Sequence, residues 1–211
     1  MIAGTGGGMW LELVVGGAAE SVDAFYSGRR AAIAAAPGVG SVRRYREPGG
    51  PRHLLVAQLE DVDAAATYLR SVVAQSHPLD DCPAPQARAL VARSLPEAVH
   101  GIAQDGVEGA LKLMVVMAVN AACEEEYNRW YDTEHIPILL RHDGWLGARR
   151  YRCDSPVPEY VTVYEVAHDR ILTAHARADV RSTEWSREVL GRAFVTHTRA
   201  FFADVTERSI R

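Results

Sequence analysis

Two ten-residue stretches decide the fold: PGVGSVRRYR, residues Pro37–Arg46, and DGWLGARRYR, residues Asp143–Arg152. Both read x-G-x-x-x-x-R-R-Y-R. Three further pairs of segments match in the same order, namely Phe25-Tyr26 with Trp130-Tyr131, Trp10–Val15 with Leu113–Val119, and Leu54–Leu59 with Val161–Val166. Four matches in one order predict that the chain holds two copies of one structural unit.

Each copy shows the same coarse pattern of secondary structure. An apolar run comes first, followed by a helical stretch, two strand-like runs around a Pro/Gly turn, a second helix and a last strand. The outer elements are expected at about 9–16, 20–35, 61–75 and 87–94, and again at about 111–119, 122–141, 169–181 and 198–205. The order β-α-β-β-α-β is that of the ferredoxin-like, or split βαβ, motif.

The chain is therefore expected to be an α+β protein built from two tandem ferredoxin-like units. We assign residues 9–95 to a degenerate first repeat, 96–109 to a linker, and 110–206 to a second repeat that carries the candidate site. One face of such a sheet is bare and must be buried. Two units in one chain predict an intramolecular α+β barrel, whose interior suits a small-molecule ligand.

Charge and composition limit the partners. The 211 residues carry a formal net charge of -4, which disfavours a nucleic-acid partner. The longest apolar run, Leu113–Val119, is too short to span a membrane, and the first ten residues lack the features of a signal peptide. The three cysteines, odd in number and widely spaced, suit a reducing cytoplasm.

Known cofactor motifs are missing from the sequence. No phosphate loop, GxSxG or HExxH pattern occurs, and the histidines lack metal-ligand spacing. His142 and His175 are interpreted as surface residues. We expect no metal and no cofactor, and either a monomer with an internal pseudo-dimer or a homodimer.

The densest group of reactive side chains lies in EEEYNRWYDTEHIP, residues Glu124–Pro137. Pro137 cannot donate a backbone hydrogen bond and should break or kink the helix, with Ile136 pushed away from helical angles. Helical spacing places Asn128, Tyr131 and His135 on one stripe. Tyr127, Trp130 and Glu134 fall on the neighbouring stripe.

This pattern favours proton-transfer chemistry. His135 would move a proton, Tyr131 or Asn128 would orient a carbonyl or phenol, and Glu134 would tune the histidine. Trp130 and Trp145 would line the pocket. Arg149 and Tyr151 share one face of a strand, with Arg150 and Arg152 on the other, and either face could anchor an anion. The alternative stays open that these aromatic side chains only pack on the sheet and that the charged ones face solvent.

The first copy lacks the central element of this cluster. Its helix reads YSGRRA, residues Tyr26–Ala31, without the Glu-His-x-Pro sequence. Because the fold-forming residues recur and this element does not, we expect a site in the second copy alone.

The runs Tyr127–Pro137, Gly144–Tyr151 and Tyr160–Glu165 resemble the dimeric α+β barrel superfamily, and within it the EthD-like branch, named for an ethyl tert-butyl ether degradation protein. The resemblance is good over about 110–205 and faint over 9–95. It implies the barrel fold, and it matches His135 to a recurrent helix-end histidine of the branch and Tyr131 to its nearby aromatic residue.

The resemblance leaves the activity open. The superfamily includes cofactor-free monooxygenases, polyketide cyclases, lactone isomerases, decarboxylases and haem enzymes, so fold alone cannot choose among them. We expect a cofactor-independent enzyme acting on an aromatic or polyketide-like small molecule. The alternatives are a non-catalytic small-molecule-binding or auxiliary protein, and a structural module.

Overall fold

The computed structural model describes residues 7–101 and 110–205, without the side chains of 96–99. These residues contain eight strands and seven α-helices. The strands are β1 (Gly8–Val15), β2 (Val39–Arg46), β3 (Arg52–Leu59), β4 (Gln86–Gly101), β5 (Leu111–Val119), β6 (Trp145–Cys153), β7 (Glu159–Val166) and β8 (Phe194–Asp204).

The α-helices are α1 (Ala19–Ala34), α2 (Val62–Tyr68), α3 (Ala74–Ser76), α4 (Glu124–Trp130), α5 (Ile136–Leu139), α6 (Ala174–Asp179) and α7 (Glu184–Arg192). Two π-helical turns join them in pairs. Leu69–Val73 connects α2 to α3, and Tyr131–His135 connects α4 to α5.

The chain divides into two units. Unit 1 comprises residues 1–94 and 202–211, and unit 2 comprises residues 95–201. The long strands β4 and β8 are therefore shared, with the first half of β4 in unit 1 and most of β8 in unit 2.

Unit 1 is an antiparallel sheet covered by helices on one face. β1 pairs with both β3 and β4, and β2 pairs with β3, which gives the order β4-β1-β3-β2. The end of β8 adds to β2 through the pair Tyr45 and Asp204. Alternate residues of the strands pack under α1 and α2 around the fully buried Tyr26 and Leu55.

Unit 2 repeats this order. β7 pairs with β5 and β6, and β8 lies beside β5, which gives β8-β5-β7-β6. Its helix-facing side is more aromatic, with Tyr127, Trp130, Tyr131, Tyr160 and Tyr164 all buried in one core.

The expected α+β class and the ferredoxin-like strand order are thus observed in each unit. The tandem duplication and the domain boundaries 9–95 and 110–206 remain predictions. Strand β4 runs to Gly101, so the first part of the expected linker 96–109 is strand. Residues 102–109 lie outside the described part of the chain.

Two local expectations for the second copy differ from the structure. The predicted helix at 169–181 is the shorter α6, and a further helix, α7, was missed. Its N-terminal signal is Thr183, whose side chain accepts a hydrogen bond from the backbone N–H of Ser186 at 2.9 Å. A Thr followed by Glu at the start of a helical stretch is a usual helix beginning.

Within the described residues, no helix is long and apolar enough to cross a membrane. Cys82, Cys123 and Cys153 are all free thiols.

Candidate functional site

The helix expected to break or kink at Pro137 continues through it. Ile136 has helical angles (φ -65°, ψ -48°), and its N–H bonds to the carbonyl of Tyr131, five residues back. In an α-helix, the proline ring would press on the carbonyl four residues earlier, that of Thr133. The wider π turn over Tyr131–His135 relieves this clash, so the helix is distorted before the proline without breaking, and the expectation that Ile136 leaves helical angles was wrong.

The π turn also decides which side chains meet. A regular α-helix has 3.6 residues per turn, and this spacing predicts Trp130 and His135 on different stripes. In the structure the His135 ring lies 4.7 Å from the Trp130 ring and 4.6 Å from the Tyr131 ring, measured between centroids. The extra residue of the turn therefore brings the two predicted stripes together at His135.

His135 is held in its neutral form. Burial, and then the positive charge of Arg150, lower the pKa of His135 to about 3. Its Nδ1 atom is buried and has no hydrogen-bond partner. The imidazole is thus uncharged at neutral pH and carries one nitrogen that the protein itself does not use.

The main cation of the site is Arg150, on the strand face opposite Arg149 and Tyr151; the sequence left open which of the two faces would offer the anion anchor. Its side chain is fully buried, and it donates to Asp132 Oδ2 and to Asn128 Oδ1, each at 2.7 Å. The guanidinium carbon lies 4.5 Å from the ring centre of Tyr131, and 5.2 and 5.3 Å from those of Tyr127 and Tyr160. The charge is therefore desolvated, paired and surrounded by aromatic faces.

Hydroxyl groups extend the cluster. The Tyr131 and Tyr164 hydroxyls share a hydrogen bond of 2.7 Å. Asn128 donates to the Tyr160 hydroxyl at 2.8 Å, and Tyr160 donates to Glu124 at 2.6 Å. Burial raises the pKa of Tyr131, so its hydroxyl stays protonated and can act as a donor.

Glu134 points to α7 and not to the histidine. Its Oε1 accepts hydrogen bonds from Trp130 Nε1 at 3.2 Å, Thr183 Oγ1 at 2.6 Å and Ser186 Oγ at 2.7 Å. Burial raises the pKa of this carboxyl, but these hydrogen bonds outweigh it and hold the pKa below its ordinary value. Burial and Arg150 are the groups that lower the pKa of His135. The hydrogen bonds of Glu134 instead connect the π turn to α7.

The remaining predicted residues separate into two groups. Trp145 is buried on the helix-facing side, 5.1 Å from the Tyr164 ring, with its Nε1 unpartnered. Arg149 and Tyr151 pair with Val163 and Val161, on the opposite face of the sheet from Arg150. The structure therefore brings Asn128, Trp130, Tyr131, His135 and Trp145 together and leaves Arg149 and Tyr151 outside this cluster.

Three members of the cluster were not predicted from the sequence: Asp132, Tyr160 and Tyr164. Two simple periodicities could have found them. Tyr160, Thr162 and Tyr164 alternate along β7, and Arg150 pairs with Thr162 on the same face. Asp132 follows Asn128 at helical spacing.

Unit 1 contains the same arginine and tyrosine but a different neighbour. Arg44 lies 4.6 Å from the Tyr26 ring centre and 2.9 Å from Asp23. In place of a histidine stack, Arg29 forms a fully buried ion pair with Glu12, which also accepts from Trp10 Nε1 at 2.7 Å. Unit 1 thus has the cation and the ring, and its buried histidine with an unpartnered Nδ1 is His53 on β3 rather than a residue of the helix.

A separate group of possible ligands lies elsewhere in unit 2. His142, His175 and Asp179 each place one donor atom within 4.8 Å of the other two. The spacing of the histidines in the sequence did not indicate this group, because distant segments supply its members. The expectation of no metal stays a prediction.

Comparisons with known proteins support the fold. No protein-family model matches the chain, and no curated protein matches it in sequence. A solved anthrone oxidase-like protein superposes with a TM-score of 0.72 at 10% identity, covering 94% of this chain and 91% of that one. A candidate monooxygenase from Fusobacterium nucleatum gives a TM-score of 0.60 at 7% identity, over 97% and 94%.

A chlorite dismutase from Candidatus Nitrospira defluvii is also similar, with a TM-score of 0.57 at 11% identity over 96% of this chain and 92% of that one. At these identities the likeness shows the fold alone, the ferredoxin-like α+β fold. The EthD-like branch remains a prediction.

Proposed function

We propose that unit 2 carries the active site of a cofactor-independent enzyme that removes a proton from an aromatic or polyketide-like small molecule. One observation carries the proposal. The neutral His135 ring, with an unpartnered Nδ1, lies between Trp130 and Tyr131 and beside the buried cation Arg150. A neutral base next to a fixed positive charge suits the formation of an enolate or phenolate.

The proton transfer balances within the site. A C–H bond next to a carbonyl, or a phenolic O–H, breaks as its proton moves to a nitrogen of His135. The electron pair stays on the substrate, and the resulting anion is stabilised by Arg150 and by the Tyr131 hydroxyl in a desolvated environment. The anion in turn stabilises the imidazolium, which burial otherwise disfavours.

The same anion can lead to several outcomes. Reprotonation at another atom gives isomerisation, attack on a second carbonyl gives cyclisation, and reaction with dioxygen as the oxidant gives oxygenation. The anthrone oxidase-like and monooxygenase descriptions of the similar structures favour the last of these. The proposal also assigns the chain to the dimeric α+β barrel superfamily, near its EthD-like branch, as a fused duplicate.

The test uses an anthrone as the probe, because its ring methylene protons are acidic. Under argon in deuterated buffer, the protein should accelerate the exchange of these protons, followed by NMR. His135→Gln should lower the catalysed rate by roughly 10²- to 10⁴-fold. The exposed His197→Gln is the matched control and should exchange at the wild-type rate.

The proposal fails if His135→Gln exchanges the probe as fast as the wild type while remaining folded. An anthrone that binds saturably without exchange would instead support the second candidate, a small-molecule-binding or auxiliary protein. Hydrogen bonds already formed within the cluster favour this second candidate. Tyr131 is bonded to Tyr164 and Arg150 to Asp132, so these groups are less available to stabilise a reacting anion.

A further inference from the structure

Three ligand-bearing side chains meet on the helical side of unit 2. His142 lies in the turn between α5 and β6, and His175 and Asp179 lie one helical turn apart on α6. His142 Nε2 is 3.2 Å from Asp179 Oδ2, and His175 Nε2 is 3.6 Å from the same oxygen. The two imidazole rings pack edge to face at 5.2 Å.

These separations suit a tetrahedral metal ion. Ligand bonds of about 2.0–2.1 Å in a tetrahedron place the donor atoms roughly 3.3 Å apart. The two measured nitrogen-to-oxygen distances lie close to this value, and all three donor atoms are within 4.8 Å of one another. The His175 side chain is 78% exposed and therefore has room to rotate. A small rotation would bring its donor nitrogen to the tetrahedral distance from the other two donor atoms.

The backbone prepares the site. The N–H of His142 bonds to Leu139 O at 3.0 Å, and the carbonyl of His142 accepts from Trp145 N at 3.2 Å. Gly144, at φ +88°, permits this turn, which a residue with a side chain would strain. On α6, the i, i+4 spacing of His175 and Asp179 directs both side chains to one face.

Charge also favours a cation here. Asp179 is the last residue of α6, where the helix dipole places partial negative charge. A carboxylate at this end of a helix is unfavourable unless a positive charge compensates it. Two imidazoles and one carboxylate are the donor set preferred by zinc and its neighbours in the first transition series.

We propose that His142, His175 and Asp179 bind one divalent transition-metal ion of the zinc class. Three protein ligands leave a fourth tetrahedral position for water. The bound ion would connect α6 to the turn that precedes Trp145. It would thereby stabilise unit 2 at a site separate from the His135 cluster.

The experiment uses the full-length protein, treated with EDTA and then dialysed. Titration calorimetry with zinc chloride should show one ion bound per chain, and zinc should raise the thermal midpoint. His175→Ala removes an exposed ligand without disturbing the core, and it should weaken binding by at least about tenfold. Asp179→Asn should do the same.

Two controls keep the outcome clear. His197→Ala removes an exposed histidine far from the three ligands in sequence, and Cys123→Ala removes the half-buried thiol; both should bind zinc like the wild type. The proposal is overturned if the wild type shows no saturable binding, or if His175→Ala and Asp179→Asn bind as tightly as the wild type. Thermal denaturation in EDTA confirms that each variant is folded.

Discussion

At the scale of single residues, Arg150 is the most constrained side chain of the cluster. It is fully buried, it donates to Asp132 and Asn128, and three tyrosine rings surround it. Removing one member of a buried ion pair leaves its partner poorly compensated. The arginine is therefore expected to contribute to stability as well as to any anion binding.

Arg150→Met should lower the free energy of unfolding by about 3 kcal/mol, measured by urea denaturation at pH 7. The neighbouring Arg149→Met, on the other sheet face, is the matched control and should cost less than about 1 kcal/mol. Equal losses for the two variants would show that the three tyrosine rings around Arg150 add nothing to its contribution to stability.

His135 makes stability depend on pH in a defined window. Because its pKa is lowered from 6.5 to about 3, the unfolded chain binds a proton between these values that the folded chain excludes. The unfolding free energy therefore rises with pH through this window and falls on acidification below about pH 6.5.

From pH 7 to pH 5, the wild type should lose about 2 kcal/mol more than His135→Gln, in which the titrating group is absent. Urea denaturation at the two pH values gives both differences. His53, whose pKa is also lowered, acts equally in both proteins and cancels. Parallel losses in the wild type and the variant would contradict a neutral, half-buried His135, and the exposed His197→Gln should behave as the wild type.

The sequence predicted this residue set only in part, for a physical reason. Asn128, Tyr131 and His135 follow from helical periodicity. The choice between Arg149 and Arg150 stayed open, because the order of side chains along a strand does not tell which face meets the helices. That choice depends on long-range packing, and here the pairing of Arg150 with Thr162 decides it.

At the scale of elements, the π turn over Tyr131–His135 determines the geometry of the cluster. The proline two residues beyond it is visible in sequence, but two responses are open to the chain: the helix can break, or it can gain a residue in one turn. The surrounding core favours the second, since Tyr131 and Ile136 are both buried on either side of the turn.

Glu134 joins the π turn to the start of α7. Glu134→Gln should lower the unfolding free energy by about 1–2 kcal/mol at pH 7, because it removes charge-assisted hydrogen bonds from Thr183 and Ser186. The folded-state pKa of Glu134 is lowered, so this difference is present above about pH 4.5 and should shrink as the pH falls further.

Guanidinium denaturation at pH 7 and pH 3 measures this effect. Glu125→Gln, an exposed change on α4, is the control and should stay within about 0.5 kcal/mol of the wild type at both values. If Glu134→Gln lowers the unfolding free energy equally at pH 3 and pH 7, the contribution of Glu134 comes from the packing of its side chain and not from its charge.

At the scale of the whole molecule, the repeated sequence predicted the strand order of both units. β4-β1-β3-β2 and β8-β5-β7-β6 are the same arrangement, and the matching runs around Arg44 and Arg150 occupy equivalent strands. The fold was predictable because local patterns of apolar residues repeat. The extent of β4 and the existence of α7 were not, since each depends on contacts between distant segments.

The two units differ where chemistry is expected. Counting from Tyr26 and Tyr131, Arg29 takes the position of Glu134, and Arg30 that of His135. The Arg29 side chain donates to both carboxylate oxygens of Glu12 and is as deeply buried as the core. An ion pair of this kind offers no neutral base on the helix, and the buried histidine of unit 1, His53, lies on β3 instead. We therefore expect unit 1 not to activate the probe.

The chain is therefore expected to bind one anthrone molecule, not two, in an isothermal titration. His135→Gln should lower the exchange of the probe by the roughly 10²- to 10⁴-fold expected above, while Glu12→Gln should lower stability without changing the exchange rate per folded chain, because only unit 2 holds a histidine on the helix. Two binding events, or a His135→Gln variant that keeps half of the wild-type exchange, would show that unit 1, with Arg44, Tyr26 and His53, is itself active. The Glu12→Gln measurement should be made below the onset of unfolding, since breaking the buried pair with Arg29 is expected to cost about 3–5 kcal/mol.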